Sequence, residues 1–105
     1  MKENLQIEAA IILLRGKIYR NLGNHEVATQ CFKDVLHMDV YCYEAFNLLV
    51  GQHALKAHEE MELINKLPYK QQCTNEEQVS LVRYAYETKV NHHGKHKVIY
   101  VLPFY

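Results

Sequence analysis

The sequence predicts an all-α fold of antiparallel helical hairpins, about five helices followed by an irregular tail. Three observations lead there. The chain is 49% apolar over 105 residues, which supplies one modest core and sets it apart from disordered chains. It holds only 4 Gly and 2 Pro, too few for a turn-dense all-β fold. Its apolar residues recur at steps of three and four, the helical period, over most of residues 1–90.

The first helix is carried by Ile7, Ile11, Leu14, Ile18 and Leu22, one stripe running from Leu5 to Leu22. Asn21-Leu22-Gly23-Asn24 supplies its stop and the next start, Gly23 as a left-handed cap and Asn24 as an acceptor for new amides. A second helix covers about His25 to Met38, with Val27, Ala28, Cys31, Phe32, Val35 and Leu36 on its buried side. A third, Tyr43 to about Leu55, presents Phe46, Leu49, Val50 and His53 on one face. A fourth, about Ala57 to Leu67, turns Met61, Ile64 and Leu67 inward and halts at Pro68. Thr74 and Glu77 form a capping-box pair ahead of Val79, Val82, Ala85 and Tyr86, a fifth helix to about Val90. The remainder, 91–105, is a basic and apolar tail, expected to be poorly ordered: Val98 to Leu102 favours a strand but has no partner strand.

Charge and cysteine usage narrow the function. Twelve Lys and Arg balance twelve Asp and Glu, so there is no basic field to draw the chain to nucleic acid or an anionic membrane. Cys31, Cys42 and Cys73 are odd in number and widely spaced, which favours free packed thiols in a reducing compartment. The apolar run Ala9 to Leu14 is too short for a membrane span, and the acidic residues before it argue against a signal peptide. An intracellular protein is expected.

The first two helices fit a helix-turn-helix repeat of about 34 residues with G-x-x-Y and A-x-x-x-F signatures, the tetratricopeptide pattern. Gly16 and Tyr19 give the first signature, Ala28 and Phe32 the second, and Gly23 sits at the turn. Small residues at 16 and 28 let the helices approach, while the aromatic rings fill the space beside them. One repeat further on, Ile12 and Arg15 map to Phe46 and Leu49, bulky apolar places, but Glu62 and Lys66 fall where Ala and Phe belong. A shortened turn restores the step with Ala57 and Met61. The segment 1–90 is therefore divided into a first repeat at about 5–40, a degenerate second at 41–68 and a further helix at 74–90.

Three longer strings add to this: Leu13 to Tyr19, the junction Leu36 to Leu49 with its unusual Asp39-Val40-Tyr41-Cys42, and the run Leu67-Pro68 through Cys73, Asn75, Glu76, Glu77 and Gln78. Over about residues 9 to 90 the chain resembles the cell-division-cycle protein 16 family, subunit 6 of the anaphase-promoting complex. The resemblance implies a non-catalytic scaffold of stacked tetratricopeptide repeats in a multisubunit ubiquitin ligase acting in mitosis. Its partners would be other protein subunits of that complex or a second copy of itself, with no nucleic acid, membrane or small-molecule substrate. It would reside in the nucleus and cytoplasm, with spindle association. A full family member is several times longer, so the chain is expected to be a fragment or truncated product with a foreign tail. It lacks the later repeats that bind the family's small partner, and that activity is not carried over.

Other constellations read as surface or core. His92, His93 and His96 with Cys73 match no closed zinc spacing; no metal or other cofactor is expected. Glu44, Glu59, Glu60 and Glu62 are expected on different, solvated faces rather than as paired catalytic acids. No phosphate loop, nucleophile elbow or zinc helix occurs, so an enzyme is not expected. Tyr41, Tyr43 and Asn47 are candidates for protein contact, with Phe46, Tyr84 and Tyr86 divided between core and surface. The alternative function is a stand-alone adaptor binding a peptide in a concave groove. Lys17 and Asn47 would serve a carboxylate clamp there, but Leu13 and Leu48 stand where such a clamp wants polarity.

Overall fold

A computed structural model describes residues 2–51 and 55–94. Among them are six helices and no strand: α1 (Lys2–Asn21), α2 (His25–Met38), α3 (Tyr43–Gly51), α4 (Ala57–Lys66), α5 (Tyr69–Gln72) and α6 (Glu76–Gly94). They fall into two units, α1 to α3 within Met1–Ala54 and α4 to α6 within Leu55–Tyr105. The unit boundary lies inside the segment 41–68 expected as a second repeat.

The turn between α1 and α2 closes as its residue types require. Gly23 has φ +88°, the left-handed conformation that costs a side-chain-free residue nothing. The Asn24 amide donates to the Tyr19 carbonyl at 2.9 Å and the Gly23 amide to the Arg20 carbonyl at 3.0 Å, so the last carbonyls of α1 are satisfied in a Schellman arrangement. Asn24 then accepts from the Val27 amide through Oδ1 at 3.3 Å, capping α2. The reversal lays α2 along α1.

The next turn is the Asp39-Val40-Tyr41-Cys42 junction. Asp39 Oδ1 accepts from the Tyr41 amide at 3.0 Å, and its carbonyl accepts from the Cys42 amide at 3.1 Å. The aspartate folds the chain over its own side chain, so the turn forms although Val40 stands where a generic repeat has the proline of Asp-Pro. Val40 is thereby driven into the core, where it is fully buried.

The first unit's core is Ala9, Ala28, Cys31, Phe32, Val35, Leu36, Val40, Ala45, Phe46 and Leu49. Val27, expected on the buried side of α2, is instead exposed. It lies one residue before the Ala28-Cys31-Phe32-Val35 stripe, on the helix edge turned to solvent. Helix α3 is described to Gly51, and Leu55 is not helical; His53 lies outside the described residues.

In the second unit α4 and α5 both pack on α6. Pro68 ends α4 as expected, and the chain then makes the short helix α5, to which the sequence expectations assign no element. The cap of α6 is Asn75, whose Oδ1 accepts from the Gln78 amide at 2.8 Å, one residue later than the Thr74 cap expected. Both residues can cap, and the chain uses the amide side chain that places Val82, Tyr86 and Val90 inward. Helix α6 continues through Asn91 to Gly94, beyond the boundary expected at Val90. The tail from 95 to 105 lies outside the described residues.

Candidate protein-contact surface

The hairpin is held shut at one point of close approach. An ideal Cβ on Gly16 would lie 2.6 Å from Cε1 of Phe32 and 3.0 Å from Cβ of Cys31. No side chain fits there, and the Phe32 ring occupies the space that glycine leaves. Gly16, Ala28 and Phe32 are buried together, Tyr19 and Ile12 are half-buried beside them, and Gly23 is exposed at the turn. Phe46 and Leu49 are fully buried on α3.

Because α1 turns Ala9 and Gly16 toward α2, its large apolar residues have nowhere to go but outward. Ile7, Ile11, Leu14, Ile18 and Leu22 are between 50% and 74% exposed. An apolar helix face usually marks the side turned to the core; here the core side is the one with small residues. Ile11, Leu14, Ile18 and Leu22 line a shallow groove with Arg15 and Tyr19. A continuous stripe of this kind is what a soluble chain keeps for a partner.

The other candidates form no single patch with it. Tyr41, Tyr43 and Asn47 are exposed around the start of α3. Glu44 between them pairs with Lys17 of α1 at 2.5 Å, so that lysine is engaged inside the unit rather than presented to a peptide terminus. At this exposure the pair contributes under about 1 kcal/mol.

Ala57 and Met61 do not pack as a repeat step: Ala57 is exposed and Met61 half-buried. The buried stripe of α4 is Glu60, Leu63 and Ile64, continued by Leu67 just past its end; Ile64 and Leu67 are inward as expected, and Glu60 takes the place expected of Met61. Glu60, only 1% exposed, also corrects the expectation that the acidic run is wholly solvated. Its charge hid its place in the i, i+3, i+4, i+7 pattern. Glu44 and Glu62 are exposed and Glu59 half-buried, with Glu59 Oε1 accepting from the Lys56 amide at 2.8 Å at the start of α4.

A further residue passed unnoticed in the sequence. Tyr69, buried on α5, donates its hydroxyl to the Ile64 carbonyl at 2.5 Å, satisfying a carbonyl that the end of α4 leaves open. Burial pushes its phenol up to about 12. A folded value above the ordinary 10 means that the stability it adds is complete below pH 10 and is lost as pH rises through about 12. Alkaline titration followed by circular dichroism is therefore expected to unfold the second unit across that window. Tyr69→Phe should remove this limb while costing about 1 kcal/mol at neutral pH. Nearby, Arg83 donates to Asn65 and, at 3.0 Å, to Glu87, tying α6 to α4.

The surroundings of Cys31 and Cys42 disfavour thiolate chemistry. Cys31 is buried and Cys42 and Cys73 half-buried, all three free. Burial pushes the thiols of Cys31 and Cys42 up, away from the reactive thiolate. No group of three His, Cys, Asp or Glu side chains able to hold a metal ion occurs among the described residues. No described helix is long and apolar enough to cross a membrane. The side chains of His92 and His93, and the whole of His96, lie outside what is described.

No family model matches the chain. Among curated proteins it is 48% identical over 89 residues to the Cell division cycle protein 16 homolog of Homo sapiens and 45% identical over 89 residues to that of Mus musculus. Each alignment takes in 85% of this chain and 14% of the relative. It is 40% identical over 87 residues, 83% of the chain and 13% of the relative, to Anaphase-promoting complex subunit cut9 of Schizosaccharomyces pombe. The chain thus spans about one seventh of the length of the curated relatives it matches.

Proposed function

We infer, for a chain that belongs over most of its length to the Cell division cycle protein 16 family of anaphase-promoting complex subunits, that it is a non-catalytic helical-repeat scaffold segment. It works by protein contact within that ubiquitin ligase, in cell-cycle control. The observation that carries this reading is the exposed stripe of α1 on a hairpin whose other side is filled. Stacked repeats bury such faces against their neighbours, and a hairpin with one face left open is built to receive another helix. The partners are protein subunits of the ligase, met in the nucleus and cytoplasm. Zero net charge suits stacking on a protein better than tracking a nucleic-acid backbone.

Co-purification from mitotic cells tests this. The tagged chain is expected to recover other subunits of the ligase, and the pair Ile11→Asp and Ile18→Asp is expected to lose them while keeping its far-UV circular dichroism. Both residues are more than half solvent-exposed or at that limit, so the double variant folds. Recovery of the chain alone overturns the reading.

A further inference from the structure

We propose that the groove along the C-terminal half of α1 receives an amphipathic helix of another protein, one that brings a carboxylate to Arg15 and Tyr19. The proposal rests on the reading of α1 as a contact surface and names the chemistry of its occupant. The floor of the groove is Ile11, Leu14, Ile18 and Leu22, spaced three, four and four residues apart. That is a straight apolar ridge about 16 Å long, and the shape that meshes with it is a second helix with apolar residues at the same steps. An extended segment does not fit, because α1 uses its amides and carbonyls within its own turns and has none to offer an extended backbone.

The rim decides the charge. Arg15 and Tyr19 border the groove together, and their four-residue spacing sets them one above the other on one side of α1. Arg15 is exposed and Tyr19 half-buried. Among the described residues neither side chain has a hydrogen bond or an ion pair. Lys17, the neighbouring cation, is held by Glu44 of its own chain, which leaves Arg15 as the cation bordering the groove. A helix laid on the floor takes the guanidinium and the phenol out of water. Two donors covered in this way cost stability unless an acceptor arrives with the cover. A carboxylate flanking the apolar seam of the incoming helix serves both, since its oxygens have lone pairs enough for the guanidinium fork and the hydroxyl. A lysine at that place would bring two cations together, and an alkyl side chain would leave the donors unmatched. Glu8 lies two turns before Arg15 on the same side and outside the groove lining, so the acceptor has to come from the partner.

The probe is a fluorescein-labelled synthetic helix of about 20 residues, with leucine on its seam and glutamate at every flanking position; two sister peptides carry glutamine or lysine there instead. Fluorescence anisotropy against the full chain reads binding. The glutamate peptide is expected to bind about tenfold or more tighter than the lysine peptide, with the glutamine peptide between them, and the gap should narrow as salt is raised. Arg15→Glu, at an exposed residue, should reverse the order. Tyr19→Phe should weaken the glutamate peptide about fivefold, and Glu8→Gln should leave each affinity within about twofold of the parent. Equal affinity for the three peptides, an order that Arg15→Glu leaves unchanged, or a face so closed by a second copy that no peptide binds, overturns the proposal. Loss of ligase subunits with Ile11→Asp and Ile18→Asp but not with Arg15→Glu keeps the scaffold reading and overturns the acidic occupant. Peptide discrimination by a chain that recovers no ligase subunit supports the acidic occupant and overturns the ligase role.

Discussion

Gly16→Leu is expected to cost the first unit about 2–3 kcal/mol and to lower its Tm by roughly 10–20 °C. The sign is not obvious, since leucine is the better helix former by about 0.8 kcal/mol. Position 16, however, has no room even for a methyl group: its Cβ would stand 2.6 Å from the Phe32 ring. The ring is buried, and Cys31 at 3.0 Å blocks the other side. Leucine therefore forces α1 and α2 apart and costs more than the propensity gained. The cycle with Phe32→Leu assigns the cause. Gly16→Ala and Phe32→Leu together should cost less than their sum, because the smaller side chain at 32 opens the space that alanine needs. Additive losses, or an unchanged melt for Gly16→Leu, would mean that the helices do not meet at this pair.

That contact was legible in the sequence because it rests on residue types with one good explanation. A glycine in mid-helix is destabilising unless something must come close, and the ring of Phe32, four residues after the small Ala28, supplies the something. The turn at Gly23 and Asn24 and the bounds of α2 were legible for the same reason, since capping residues act within a few positions of themselves. Asp39 could be seen as unusual, but the turn it builds over its own side chain is a matter of three-dimensional geometry.

Where the sequence misled, long-range packing had the choice between two helix faces. On α1 the large apolar residues mark one face and the small ones the face with Ala9 and Gly16. Hydrophobicity alone ranks the first as buried, and the hairpin buries the second because close approach excludes bulk. On α4 the glutamate at 60 interrupts the apolar pattern, and hydrophobicity alone points to the neighbouring Met61 as the inward residue. Tyr69 followed a proline in a stretch rich in polar residues, and nothing local announces that its hydroxyl will close the end of α4. The contact surface was half visible in consequence. Its residues had been read as a stripe, but their exposure could only be known once the hairpin had chosen its inside.

A buried charge at the same hairpin tests that choice from the other helix. Ala28 is 2% exposed on the face of α2 that carries Cys31, Phe32 and Val35, and Ala28→Glu is expected to cost about 3–5 kcal/mol at pH 8. The cost should depend on pH in a defined direction. Burial disfavours the carboxylate, so the folded value of the new glutamate rises above its unfolded value of about 4.3. Well below that value the side chain is neutral in both states, and only overpacking and an unmatched hydroxyl remain. As pH rises the unfolded chain ionises first, and the penalty grows until the folded value is passed. Ala28→Gln has nearly the same shape and no ionisation, so it should match Ala28→Glu at low pH and stay level relative to the parent as pH increases. Amide exchange within α1 and α2 follows both variants without interference from the second unit. If the two variants were equally destabilised at every pH, position 28 would be reached by water, and the close helix contact at Gly16 would lose its second support.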